Sequence, residues 1–396
     1  SDIRVLSFNH FLLGPMGTQV LADLGADVIC IEPVGGAFQR HWGGANHRVD
    51  GESMLHLAGN RNKKSLAVDV KSPEGHKIIE KLLVTADVLS ENFRPGVMDK
   101  LGFGYEAVQN INPRIIYAAA SGFGQDGPYS ARPGQDLVIQ TLSGLANLNG
   151  SESQPPTPVG VSAADHHGAQ ILAMSILAAL YRREKTGIGT RVDVDLLSAA
   201  LDLQNESLTC YLNGATETQR APPNIAGWYF PAPYGVYEVT DGFIAISLGS
   251  IATLSEALEN PELEKFSSDE TFSKKREIAQ LVQNSVKDLD LKSLEETLEK
   301  HKLWFSRVND YEALLRDPQI EHNGSFIDVD STSGSPLRLL AHPAKYDGVR
   351  PKVHSPPQPL GAQSAAILSE IGYSSEEVRD LSERQIIHLW DPTQSE

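Results

Sequence analysis

The chain has 396 residues, 40% of them hydrophobic, and a formal net charge of −17. That is enough for two domains, or one large domain with an insert, and for a full core. The acidity argues against nucleic acid as a partner, because phosphate binding needs concentrated Lys and Arg. Every apolar run is broken by polar residues before about eighteen positions, so no membrane span is expected. The opening "SDIRVLSFNHFLLGP" lacks the basic region and cleavage site of a secretory signal. Cys30 and Cys210 lie in apolar surroundings, which points to buried thiols and a cytoplasmic setting.

In chain order, "IRVLSF" (3–8) reads as a strand and "GTQVLADLG" (17–25) as a helix with Gly25 at its C-cap. "ADVICIE" (26–32) is a second strand. The segment 72–86 is a helix, with Ser72 as N-cap, Pro73 at its first position and Glu74 in its first turn. "DVLSENF" (87–93) and "RIIYAAASGFG" (114–124) are further strands leaving into loops. This rhythm predicts an α/β fold with a mostly parallel sheet and a ligand cleft at the strand C-terminal ends. A long helix over about 164–185 ends at Gly187 and Gly189, followed by the strand "RVDVDLL" and a helix to about 213. "RAPPNIAGWYFPAPYG" (220–235) looks like a boundary, "YGVYEVTDGFIAISLG" (234–249) a hairpin, and 269–317 charged helices of a smaller domain. A final helix pair follows "HSPPQPLG" (354–361). The expected division is a large domain over 1–222, a small one over 223–332, and a return to the large domain over 333–396.

The candidate chemistry centres on "VSAADHHGAQ", where Asp165 precedes His166 and His167 at the start of the long helix. Asp165 suits an N-cap, worth about 1 kcal/mol. As a metal site the triplet is poor, because adjacent helical residues point in different directions. "GNRNKKS" (59–65) gathers Arg61, Lys63 and Lys64 and suits a phosphate contact or a solvated loop. His10, Asn92 and Phe93 leave two strands at the expected cleft edge.

Together the segments "FNHFLLGPMGTQVLADLGADVICIEP", "NRNKKSLAVDVKSPEG", "ADVLSENFRPGVMDKLGFGYE", "GQDLVIQTLSG", "ADHHGAQILAMSILAALYRREKTGIGTRVDVDLL" and "PLGAQSAAILSEIGYSSEEV" resemble the class III CoA-transferase family, in family order over almost the whole chain. The resemblance implies a large Rossmann-like domain with a smaller α+β domain in an interlocked homodimer. It makes Asp165 the acyl-carrying nucleophile. It places His10, Leu12, Leu13, Val68, Asn92, Phe93 and Lys100 along bound coenzyme A. Arg61, Arg94 and Arg132 join them as basic residues near those segments, and Gln135 as a group that orients substrate. Coenzyme A enters as part of the substrate, with no permanently bound cofactor and no metal. The partners implied are an acyl-CoA and a small carboxylic acid.

The chain also departs from its relatives. Leu12 and Leu13 stand where some carry Gln and Ala, and Pro33 stands where one carries a base. "NIAGWYFPAPYG" occupies the region of the tetraglycine loop of oxalate-type enzymes, whereas "NRNKKSLAV" looks closest to the succinyl-CoA:dicarboxylate branch. The 2-methylacyl-CoA racemases of the same fold share the Asp at position 165. They add a His and a Glu where this chain has Gln135 and Ile251, so transfer is favoured over α-proton exchange. Backbone N–H groups at the start of the Asp165 helix are the expected oxyanion donors.

Overall fold

A computed structural model describes residues 2–215, 220–391 and 393. Six strands, β1 (Arg4–Phe8), β2 (Asp27–Glu32), β3 (Lys63–Val68), β4 (Val88–Glu91), β5 (Ile116–Ser121) and β6 (Thr190–Asp195), form a parallel sheet in the order β3-β2-β1-β4-β5-β6. The short strand Ile387–His388 adds antiparallel to β3, so the sheet is mostly parallel, as expected. Connections from β1 run toward β2, and the chain then crosses to β4 on the other side. This makes the C-terminal ends of β1 and β4 the switch point of a doubly wound sheet.

Period-two alternation sorts the strand side chains onto two faces. Leu6, Leu89, Tyr117 and Ala119 join a core with Ile78 and Leu82 of helix α2 (Pro73–Thr85), while Val5, Val88, Ile116, Ala118 and Ala120 face the other way. That second face is covered by α1 (Leu13–Asp23), α4 (Ala163–Thr186) and α5 (Leu196–Asp202). α3 (Asp136–Leu142) precedes α4 in the chain. Burying each large apolar side chain contributes about 1.5–3 kcal/mol. The two alanines offer little bulk, which suits the close approach of α4.

Most helix ends follow their sequence signals. Ser72 Oγ accepts the Gly75 N–H at 3.0 Å, and α4 stops at Gly187 with φ of 71°. α1 starts earlier than its apolar pattern suggests, at Leu13, because Pro15 is tolerated in a first turn whose N–H groups have no helical partner. α1 then packs tightly on α4. A Cβ on Gly17 would stand 3.0 Å from the Ala169 carbonyl oxygen, and one on Gly168 would stand 2.7 Å from Leu13 Cδ1.

Spatial contacts divide the chain differently from the expected boundaries. One unit runs to Ile139, resumes over Ser162–Leu203 and returns from Glu321; the other comprises Gln140–Val161 and Gln204–Ile320. The expected helix to 213 is two helices, α5 and Asn205–Leu212, and the chain changes unit at their break. The Pro- and aromatic-rich stretch is no linker. Ala221, Ile225 and Ala232 are buried in the second unit's core, and the Trp228 indole N–H donates to Ser207 Oγ at 2.9 Å. That unit holds the expected hairpin, Gly235–Val239 with Gly242–Ile246, and a third strand, Phe305–Arg307, against charged amphipathic helices.

After β5 the chain makes a closed loop, pinched where Gly122 meets Gly134. A Cβ on Gly122 would lie 2.7 Å from the Gly134 Cα. Backbone cannot yield as a side-chain tip can. Gly122→Val should therefore cost about 1–3 kcal/mol, seen as a lower denaturation midpoint. An unchanged midpoint would show that the pinch is not needed.

Candidate active site

Two of the expected residues meet at the switch point. The His10 backbone N–H donates to Asn92 Oδ1 at 2.8 Å, and Asn92 Nδ2 donates back to the His10 carbonyl at 2.8 Å. This pair ties the loop after β1 to the loop after β4. The His10 ring stacks on Phe93 at 5.0 Å and 26°. Burial pushes its pKa down to about 4, so the ring is neutral at physiological pH, and its Nδ1 is buried without a hydrogen-bond partner among the described residues. Next to it Phe11 holds φ of 58°, a strained value for a bulky residue, with its N–H on Gln39 Oε1 at 3.3 Å.

Asp165 lies on the α4 face that carries Gly168 and Leu172 and that packs on α1. It is the third residue of the helix, not its N-cap; Ser162 holds the cap position without a side-chain bond. The cap comes from elsewhere in the chain. Asp136 Oδ1 accepts the N–H of Ala164 at 2.8 Å and of Asp165 at 3.1 Å. This corrects the expectation that these N–H groups serve as oxyanion donors, since both are already bonded. The half-buried Asp165 carboxylate has no hydrogen bond among the described residues. Desolvation, reinforced by the negative charge of Asp136, raises its pKa to about 7. The helix dipole alone, worth up to about 2 kcal/mol, does not offset these effects.

The remaining expected residues divide by burial. Leu12 and Leu13 are buried, with Leu13 against Gly168, so a ligand there would meet mainly backbone. Val68 is a core residue paired with Ile387, and its side chain is closed to a ligand. Arg61 is also inside, with Nε and Nη2 both on the Asp23 carboxylate. Its neighbours are likewise committed. Lys63 Nζ donates to the carbonyls of Pro15 and Gly59, both at 2.7 Å, and to Asn60 Oδ1 at 3.0 Å; Lys64 pairs with Asp27 at 2.6 Å. The basic run is thus largely a structural clamp rather than the suggested phosphate loop: Arg61 and Lys63 are buried against internal oxygen acceptors, and the partly exposed Lys64 is paired with Asp27. Arg94, Lys100, Arg132 and Gln135 are exposed, and the Arg132 guanidinium lies 3.9 Å from the centre of the Tyr129 ring. Ile251 is buried in the core of the second unit.

Sequence reasoning missed Asp136 and Gln39. Asp136 stood in the quoted segment "GQDLVIQTLSG", but nothing local signals a cap for a helix that begins 27 residues later. A cavity of about 370 Å³, lined by Asp50, Glu52, Leu57, Pro359, Trp390 and Asp391 among others, contains none of the candidate residues. Its carboxylates have the wrong sign for a phosphorylated ligand. Among the described residues no group of three or more His, Cys, Asp or Glu is placed to hold a metal. His167 is bonded instead to Asp202 at 2.7 Å.

The raised pKa has a consequence for stability. Ionised Asp165 is disfavoured in the folded state, so stability falls as pH rises from the ordinary value of 3.8 through about 7. Asp165→Asn should therefore raise Tm by a few degrees at alkaline pH and change it little below pH 3.8. A thermal melt series across pH checks this, and an equal shift at both ends would contradict it.

Comparison with known proteins gives a consistent answer. A family model described as CoA-transferase family III matches residues 1–364. The chain is 32% identical to the succinyl-CoA:glutarate CoA-transferase of Homo sapiens over 93% of its own length and 85% of that protein. It is 38% identical to the acetyl-CoA:oxalate CoA-transferase of Acetobacter aceti over 66% of its length and 67% of that protein. Among solved structures, a CAIB/BAIF family protein from Brucella suis superposes with a TM-score of 0.80 at 31% identity, over 93% of this chain and 98% of that one. The chain belongs to CoA-transferase family III.

Proposed function

We propose that this protein moves CoA from an acyl-CoA to a small carboxylic acid, with Asp165 carrying the acyl group. The observation that bears this reading is the Asp165 carboxylate itself, half-buried, without a hydrogen bond among the described residues and raised to about 7, on the α4 face that packs on α1. A partly desolvated carboxylate is a stronger nucleophile than one fully in water, and its raised pKa brings its titration into the neutral range.

The reaction runs in four balanced displacements. The Asp165 carboxylate attacks the thioester carbonyl, giving a mixed anhydride and CoA thiolate. The thiolate attacks the Asp165 carbonyl, forming an aspartyl-CoA thioester and releasing the first acid. The incoming carboxylate attacks that thioester, restoring an anhydride and the thiolate. The thiolate then takes the new acyl group and frees Asp165. This is covalent catalysis in small steps. Holding the thiolate in place supplies effective molarities of about 10⁵ M or more, and water must be kept from the anhydride. His10, Asn92 and Phe93 are the residues we assign to coenzyme A at the switch point. Exposed Arg94, Lys100 and Arg132 are suited to its phosphates, and Gln135 to the substrate. Leu12 and Leu13 contribute through backbone.

A dicarboxylic acceptor is our preferred reading, supported by the similarity to the succinyl-CoA:glutarate enzyme. The oxalate-type relative keeps a smaller diacid in the panel to be tested. The racemase alternative is weaker, because Gln135 does not titrate and Ile251 carries no acid or base. We also infer a homodimer. Met174, Leu177 and Tyr181 recur along one side of α4 and are 63%, 42% and 69% exposed, a stripe that a single chain leaves in water.

Incubation with succinyl-CoA, followed by intact-mass measurement and peptide mapping, should find the adduct on Asp165. Asp165→Ala should lower transfer to a carboxylate panel by at least about 10³-fold. Transfer at the wild-type rate, or solvent deuterium at the α-carbon without an adduct, would refute the reading. Light scattering should give twice the chain mass; a monomer would refute the dimer.

A further inference from the structure

We propose that Asp136 is a positioning residue for Asp165: one carboxylate oxygen fixes the first turn of α4, while its charge destabilises the free Asp165 carboxylate relative to its acylated forms. This rests on the reading of Asp165 as acyl carrier.

The first half of the proposal is geometric. A helix start leaves N–H groups without helical partners, and Ser162 does not cap α4 with its side chain. Asp136 Oδ1 takes two of those groups, including the N–H of Asp165 itself. The nucleophile's backbone is thereby anchored to α3, just beyond the Gly122–Gly134 pinch.

The second half follows from charge. A carboxylate bonded to the Asp165 N–H stands close to the Asp165 side chain. Two like charges in a partly desolvated place repel. In the anhydride and in the aspartyl thioester, Asp165 is neutral and the repulsion is gone. The free enzyme is thus raised in energy while both covalent intermediates are not, which favours acylation and makes the carboxylate more basic. The raised Asp165 pKa agrees with this, although desolvation is its larger cause.

The other charged groups around Asp165 do not offset the repulsion. On α4, His166 is exposed and His167 is bonded to Asp202 of α5. The loop before α1 brings His10, which burial keeps neutral, and α1 brings Asp23, which is bonded to Arg61. β5 brings Tyr117, on the opposite face of the sheet and bonded to the Phe103 carbonyl. On β6, Arg191 pairs with Asp193, and Asp195 caps α5 through the Ser198 N–H. Arg183, near the far end of α4, pairs with Asp87.

Substitutions separate the two roles. Asp136→Asn keeps an Oδ1 acceptor for both N–H groups and removes the charge; Asp136→Ala removes both. The probe is succinyl-CoA, and the readout is the single-turnover rate and final extent of Asp165 acylation as a function of pH. For Asp136→Asn the acid limb should move to lower pH by about one unit, and the acylated fraction at alkaline pH should fall. Asp136→Ala should show the same shift and at least a tenfold lower rate at every pH. If Asp136→Ala does not fold, the Asn variant decides alone. A wild-type adduct at Asp165 with an unmoved Asp136→Asn profile overturns the positioning role. An adduct that persists in Asp165→Ala overturns the acyl-carrier reading beneath it.

Discussion

The two hydrogen bonds from Ala164 and Asp165 to Asp136 fix the start of the helix that carries Asp165. A hydrogen bond to a charged acceptor contributes about 1.5–3 kcal/mol. Here two of them satisfy a helix start that has no cap of its own. The same carboxylate that stabilises the backbone opposes the neighbouring side chain. Local order and local repulsion come from one group, so the site is held in a state the fold would otherwise relax. Such tension is tolerated because α4 is fixed over its whole length, against α1 through Gly17 and Gly168 and against the alanine face of β5.

The switch point supplies the other half of the architecture. A parallel sheet of this order leaves a crevice where neighbouring connections part. In this protein the His10–Asn92 pair spans that crevice. Beneath it Asn9 Nδ2 donates to Ser7 Oγ at 2.9 Å and Ser90 Oγ at 3.0 Å, while its Oδ1 is buried without a partner among the described residues. The rigid floor therefore presents His10 and Phe93 in a stack. Neutral aromatic surface with an unbonded ring nitrogen suits a heteroaromatic ligand better than a bare anion does.

How much of this could be read from the residues depends on the range of the interactions. Strands β1, β2, β4, β5 and β6 were legible because alternation and turn chemistry are local; β3 was not, because its first residues, Lys63 to Ser65, read as part of a basic loop. Ser72 and Gly187 marked helix ends for the same reason. The meeting of His10, Asn92 and Phe93 was legible because these residues leave β1 and β4 at the same edge of the sheet. Arg61, Lys63 and Lys64 misled, because charge in a sequence gives no sign of the oxygens folded around it. Asp23, Pro15 and Gly59 supply those oxygens from distant positions. Val68 misled for a similar reason, since its covering strand comes from Ile387. Asp136 was invisible as a cap because the helix it serves is not its own.

The outer edge of β3 is finished by residues that come much later in the chain. Val68 pairs with Ile387, the Ser65 N–H donates to Gln363 Oε1 at 2.8 Å, and the Gly361 N–H donates to Ser65 Oγ at 2.9 Å. During synthesis on the ribosome, that edge emerges long before the segment that closes it. Nascent β3 therefore presents unpaired peptide groups to water or to a chaperone while the intervening unit is still being made. The vulnerable interval for this protein lies in its translation rather than in its mature form, and its length is set by the detour through residues 204–320.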